Sequence, residues 1–275
     1  MDFIDTHLHL IHRDRLGYAW TQDIPALASG DFTVADWQGL VAGRGVVGAL
    51  VMECGVDDAD YRAEARWAAG LAGILGQIAS CRPEEAGFDD WLAECTGLRV
   101  RGFRRILHVM PDDLSAGAEF RANLRKIGVL GLTFDMCFQA RQLEVAVDLA
   151  QACDDQVLVL DHCGVPDIAG GAFEDWAAGI TALAGLPHVM VKLSGIAAYC
   201  GSRGASAAVL RPWVAHVIDS FGPGRIVWGS DWPVVNLGPG LPDWIDTSRA
   251  LLADLSADEQ VAIAQGNARR IYRLD

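Results

Sequence analysis

Short runs rich in Val, Ile and Leu recur along this chain between longer Ala-rich stretches, and eight such alternations can be counted. The runs are Phe3 to His9, Val46 to Cys54, Ile74 to Ala79, Leu98 to Leu107, Val129 to Asp135, Val157 to His162, Val189 to Ser194 and Arg225 to Asp231. This is the rhythm of βα units around a parallel sheet. Thr33 to Ala42, Tyr61 to Ala72, Leu143 to Ala152 and Ala207 to Ser220 carry apolar residues at three- and four-residue spacing, which predicts helices. Ser256-Ala257-Asp258-Glu259 reads as a capping box opening a late helix. Eight units in 275 residues match a (β/α)₈ barrel, expected as one domain over residues 1–275. A doubly wound sheet shares the rhythm, but no Gly-rich dinucleotide fingerprint follows the first run.

Composition narrows the partners. A hydrophobic content of 51% is ample for a large core. A net charge of -14 without a Lys/Arg cluster gives no attraction for nucleic acid or anionic lipid. No basic leader and no long apolar span is visible, and seven scattered cysteines without zinc-type spacing read as reduced thiols, so a cytoplasmic protein is expected. Nothing marks an interface, though a homodimer is compatible with the chain.

In a barrel of this kind the chemistry sits where the strands finish, and polar residues collect there. The first run ends in His7 and His9, whose side chains point the same way in a strand, with Asp5 one step behind them. The second run ends in Glu53, the fourth carries Arg101, Arg104 and Arg105, and the fifth ends in Asp135. The sixth finishes Asp161-His162, the seventh carries Lys192 and Ser194, and the eighth ends Gly229-Ser230-Asp231-Trp232-Pro233. A barrel built for stability alone has no need of ionisable groups at nearly every strand end, because burying an unpaired charge costs several kcal/mol.

Five motifs in order, Asp5-Thr6-His7-Leu8-His9, Arg101-Gly102-Phe103-Arg104, Leu160-Asp161-His162-Cys163-Gly164, Lys192-Leu193-Ser194-Gly195 and Gly229-Ser230-Asp231-Trp232-Pro233-Val234, resemble those of the amidohydrolase superfamily. The likeness is to the lactonase branch of its amidohydrolase 2 type, which includes lactonases for L-fucono-, L-rhamnono- and pyrone dicarboxylate lactones. It runs from Asp5 to Gly266-Asn267-Ala268-Arg269-Arg270-Ile271-Tyr272. The resemblance implies a distorted (β/α)₈ barrel, hydrolysis at a carbonyl, and either no metal or a single weakly needed one. Members with two metals add a bridging Lys or Glu on strand four and a His on strand five; here those strands offer arginines and Asp135.

Opening a lactone needs a base for water, donors for the oxyanion and an acid for the departing alkoxide. Asp231 is the expected base. His7, His9 and His162 either polarise the carbonyl or ligate a metal that does so, and Arg104 is a donor that keeps its charge. A single zinc would be held by His7, His9, Glu53 and Asp231. After Asp161-His162-Cys163-Gly164 comes Val165, where relatives carry a basic residue; an apolar side chain cannot pair with a buried carboxylate, which favours a neutral polyol lactone of carbohydrate catabolism. Glu53, Asp135 and Ser194 would bind its hydroxyls, and Trp20 and Trp232 would cover its apolar face, although each tryptophan also suits ordinary packing. The other reading the motifs permit is a zinc-dependent decarboxylase of a small unsaturated acid, and a third is a barrel that binds ligand without catalysis. The segment from His12 to Asp31 is the expected specificity loop.

Overall fold

The structure, a computed structural model, describes residues 1–274. Eight parallel strands lie side by side in chain order: β1 (Phe3–Leu8), β2 (Val46–Met52), β3 (Gly76–Ser80), β4 (Val100–Ile106), β5 (Thr133–Cys137), β6 (Leu158–Leu160), β7 (Val189–Leu193) and β8 (Ile226–Trp228). The ring closes just beyond β8 and β1, where the Asp231 N–H donates to the His7 carbonyl at 2.9 Å and the His9 N–H donates to the Trp232 carbonyl at 2.8 Å. Among the described residues ten α-helices wrap it: α1 (Val34–Val41), α2 (Tyr61–Ala69), α3 (Phe88–Cys95), α4 (Ala118–Val129), α5 (Leu143–Ala152), α6 (Glu174–Ala184), α7 (Ala207–Phe221), α8 (Leu241–Leu252), α9 (Ala257–Val261) and α10 (Asn267–Ile271). This is the (β/α)₈ barrel that the alternation predicts.

Two apolar layers follow from the alternation of strand side chains. Outward residues such as Phe3, Val51, Phe103 and Phe134 pack under the helices with Trp91, Trp176 and Trp244. Inward residues Ile4, Leu50, Ile78, Val159, Met190 and Val227 form a separate interior cluster, into which the C-terminal turn inserts Ile271, Tyr272 and Leu274. The seven cysteines are buried and unpaired. Among the described residues no helix is long and apolar enough to cross a membrane.

Most boundaries shift by one to three residues, and three strands differ in a way that matters for the site. The fifth strand begins at Thr133, because α4 continues through Val129 and the chain turns at Gly131, whose φ of +66° suits glycine. The sixth and eighth strands have three residues each, so His162 and Asp231 stand on the turns beyond them. Elsewhere the helix signals match closely, and the Ser256–Glu259 capping box forms in both directions.

The His12–Asp31 segment leaves and returns at one point, where Ile11 and Phe32 exchange backbone hydrogen bonds of 3.0 and 2.9 Å. Arg13 holds it from within, donating to the Gly30 carbonyl at 3.0 Å, to Thr21 Oγ1 at 3.0 Å and to the Leu27 carbonyl. Arg13→Ala leaves those acceptors without their shared donor. Amide hydrogen exchange across residues 14–31 is expected to accelerate about tenfold or more while the strands keep their protection; unchanged exchange in the segment would show that Arg13 does not hold it.

Candidate active site

The site begins with a fault in β1. Between Asp5, paired with Ala49, and Leu8, paired with Val51, β1 spends three steps against two on β2, so it carries one extra residue. Such a bulge re-aims side chains. Ile4 lies in the interior cluster, while Phe3 lies in the outer layer. Simple alternation from them would send His7 outward; the bulge turns His7 and His9 into the barrel. Asp5 consequently lies off their face, whereas alternation alone predicts that it shares it. Its Oδ2 accepts the Trp37 indole N–H of α1 at 3.2 Å, and its Oδ1 accepts the backbone N–H groups of His7 at 3.1 Å and Ser230 at 2.8 Å. Asp5 is thus a brace that ties the bulge to the β8 exit.

His9 Nδ1 lies 3.2 Å from the Met52 carbonyl. A carbonyl only accepts, so Nδ1 carries the proton and Nε2 presents a lone pair. That lone pair faces His7 Nε2 at 3.1 Å and Asp231 Oδ1 at 3.4 Å, and His7 Nε2 is 3.8 Å from the same oxygen. Asp231 is 2% exposed with φ of +56°, and His162, Cys163 and Val165 have φ of 55°, 52° and 46°. Backbone strain of this kind in non-glycine residues persists where the surroundings over-determine it, and it gathers at working sites. His162 Nδ1 is 2.9 Å from Ser194 Oγ.

Two cations organise the rest. Arg104 on β4 donates through Nε to Glu53 Oε1 at 2.6 Å, through Nη2 to the Glu53 carbonyl at 2.7 Å, and through Nη1 to Asp161 Oδ2 at 3.3 Å; Nη1 also stands 3.2 Å from His7 Nε2. Burial opposes its charge, but Glu53, followed by Cys137 and Asp161, outweighs that and raises its pKa. Lys192 on β7 has no exposure; Nζ bonds Asp135 and lies 3.0 Å from Asp161 Oδ1 and 3.3 Å from His7 Nδ1. Burial would depress Lys192 and raise Asp161, yet Asp135 and then Asp161 hold Lys192 above its ordinary value, and Lys192 first among its neighbours holds Asp161 well below its own. Burial lowers His7 and His162, which favours the neutral form of both rings. With neutral rings, Arg104 and Lys192 are paired with Glu53, Asp135 and Asp161, Asp231 stands apart from both, and the four buried carboxylates outnumber the two cations by two formal charges.

Of the residues singled out in the sequence, His7, His9, His162, Arg104, Asp231, Ser194 and Glu53 converge. Glu53 is turned toward Arg104 by Oε1 and accepts the Gly55 N–H at Oε2 at 2.9 Å. Among these site residues, a set of three donors within 4.8 Å of one another is on His7, His162 and Asp231, without Glu53. Asp135 is not at the mouth: it is mid-strand on β5, and its oxygens take Lys192, the Tyr272 hydroxyl at 3.2 Å and the Thr133 hydroxyl at 3.3 Å. Trp20 is 40% exposed at the rim and donates to the Cys54 carbonyl at 2.9 Å, whereas Trp232 is buried edge-on against Phe32. Cys137 and Glu64 were not foreseen. Cys137 follows Asp135 on the same strand face, a signal the two-residue period carries. Glu64 sits in α2 with Oε1 accepting the Cys54 N–H at 2.7 Å and Oε2 buried without a partner; burial, reinforced by Glu53, pushes it up to about 8.

The amidohydrolase family model matches residues 4–274. The chain belongs to the amidohydrolase family. It is 28% identical to an L-fucono-1,5-lactonase of Burkholderia multivorans, over 98% of this chain and 96% of that one. A 2-pyrone-4,6-dicarboxylate hydrolase of Comamonas testosteroni is 28% identical over 64% of this chain and 58% of its own. The crystal structure of an amidohydrolase from Burkholderia multivorans with bound zinc superposes with a TM-score of 0.91 at 26% identity, covering both chains fully. The present residues fit a divalent cation on two grounds: the His9 Nε2 lone pair is turned toward a carboxylate, and the pocket has surplus negative charge.

Lys192→Met strands Asp135 and Asp161, and a loss of about 3–5 kcal/mol is expected from denaturant unfolding. Asp135→Asn in that background should recover part of it; full stability in the single variant would contradict the pairing. Glu64 supplies a pH test. Its carboxyl rises from 4.5 to about 8 on folding, so between those values the folded state holds a proton that the unfolded chain has lost, and stability falls as pH rises through the window. Glu64→Gln has no such slope. Its stability relative to the parent is expected to grow from pH ~5 to ~8, and a constant difference would refute the shift.

Proposed function

We propose that this chain is a lactonase that opens the ester of a small, neutral, polyhydroxylated lactone, with Asp231 as the base. The observation that carries the reading is the Asp231 carboxylate at the barrel mouth, which has the imidazoles of His7 and His9 within 4 Å and no ion pair with a lysine or arginine among the described residues. Water attacks the lactone carbonyl carbon and gives its proton to Asp231. The tetrahedral oxyanion then collapses, the ring C–O bond breaks, and the departing alkoxide takes that proton back. His162 supplies a donor for the oxyanion: when Ser194 donates to Nδ1, Nε2 carries the hydrogen. Arg104, locked by Glu53 and Asp161, adds fixed positive charge beside His7.

His7, His9 and Asp231, joined by His162 in the other tautomer, where Nδ1–H donates to Ser194 Oγ and Nε2 keeps its lone pair, are the residues that would hold a single divalent metal such as zinc, and the ion, when bound, would polarise a carbonyl or lower the pKa of water. Asp161 Oδ1, 3.4 Å from His7 Nδ1, is placed to accept the Nδ1–H and so leave Nε2 as the ligating nitrogen.

Two features support a neutral substrate. The surplus negative charge of the pocket repels a carboxylated lactone, and Val165 offers no cation to pair with one. The Burkholderia relatives named for L-fucono-1,5-lactone align over nearly the whole chain, and the dicarboxylate hydrolase over less of it.

Proton release at constant pH from a panel of aldonolactones and one dicarboxylated lactone tests this. An aldonolactone is expected to turn over fastest, and Asp231→Asn should slow it at least about a hundredfold without unfolding the protein. Near-parental turnover in the variant would remove Asp231 from the chemistry, and preference for the dicarboxylated lactone would overturn the substrate class.

A further inference from the structure

The side chains expected to read the hydroxyls of a polyol are already engaged. Glu53 gives Oε1 to Arg104 and Oε2 to the Gly55 N–H, Asp135 is buried with Lys192 and Tyr272, and Ser194 Oγ is 2.9 Å from His162 Nδ1. A different residue has capacity to spare. His108, in the short turn Leu107–Val109 that follows β4, is half-buried, and its Nδ1 is 3.1 Å from Cys137 Sγ. Cys137 ends β5 on the face of Thr133 and Asp135, and its Sγ lies within 4.8 Å of a His162 ring nitrogen and an Asp161 oxygen. The contact therefore pins the His108 ring beside the groups that surround Asp231.

The thiol decides what that ring offers. Burial pushes the Cys137 thiol up, so it keeps its proton, and burial followed by Arg104 pushes His108 down to about 4, which favours a neutral ring. Among the described residues Sγ has no other hydrogen-bond partner. An S–H donated to Nδ1 leaves the ring hydrogen on Nε2, an uncharged donor that no described residue satisfies. We propose that His108 is a substrate-binding and specificity-determining residue, its Nε2–H donating to a hydroxyl oxygen of the lactone, and that Cys137 fixes the tautomer that makes it a donor. This rests on the lactonase reading. A ligand lacking that hydroxyl leaves the N–H facing no acceptor, which is how a site rejects a deoxygenated analogue. A thiol–imidazole contact that only packs the barrel would alter stability and leave ligand preference intact.

Calorimetry of the full chain with aldonolactams and their monodeoxy relatives tests the proposal, because the amide in place of the ester lets binding be read without turnover. At one hydroxyl position the parent is expected to bind the deoxy lactam about tenfold or more weakly than the hydroxylated one. That gap should close in His108→Ala and return in part in His108→Gln, which keeps an N–H donor. The absence of any gap in the parent, or persistence of every gap in His108→Ala, would overturn the proposal. If His108→Ala does not fold, nitrogen-15 NMR of the parent decides it: the His108 hydrogen is expected on Nε2, shifting with the hydroxylated lactam and not with the deoxy one, and a hydrogen on Nδ1 would overturn the assignment. A parent that shows the His108-dependent gap yet releases no proton from any lactone would sink the lactonase reading and leave the donor assignment standing.

Discussion

Inside the ring of strands, Lys192 bonds Asp135 on β5, lies 3.0 Å from Asp161 beyond β6 and 3.3 Å from His7 on β1, and none of the four has any exposure. The remaining geometry depends on this cation. An ammonium taken fully out of water is tolerated only where opposite charge repays its desolvation, and here it draws carboxylates from two other strands onto the barrel axis. Tyr272, carried in by the C-terminal turn, donates to Asp135 from the interior side, so the end of the chain is tied to the same network. Arg104 repeats the arrangement on the other flank of His7, held by Glu53 and Asp161.

Asp161 joins the two halves, since both cations reach it. The consequence for His7 is electrostatic: burial and neighbouring cations favour its neutral ring, which is the form that accepts a proton, donates one or ligates. Asp231 stands outside this mesh of cations, on a strained turn, with neutral imidazoles as its neighbours. That separation divides the labour. Three carboxylates are committed to Lys192 and Arg104, and the fourth is left for chemistry.

Much of this was legible in the amino-acid sequence. Eight apolar runs located eight strands, and ionisable residues at their ends located the mouth, because only function accounts for charges in so many costly places. What alternation cannot reveal is an inserted residue. The β1 bulge put Asp5 on the opposite side from His7, where it braces backbone N–H groups. Val129 and Leu130 looked like the start of a strand by their apolar character, yet they are the exposed end of α4 and the turn after it. That error displaced β5 and set Asp135 at the mouth in place of Cys137. Nothing in the sequence of α2 singles out Glu64, and only the packing of α2 against the Glu53–Cys54 turn shows that it is buried.

The central claim is that Lys192 and Arg104 confine charge to the carboxylates and leave His7 neutral between them. Nitrogen-15 NMR of the histidine rings in chelator-treated protein measures this directly, because neutral and protonated imidazoles have distinct ring shifts and couplings. The account predicts that His7 gives the signature of a neutral ring at neutral pH and keeps it well below the pH at which an exposed histidine titrates, ~6.5. An imidazolium signal from His7 at neutral pH would contradict it.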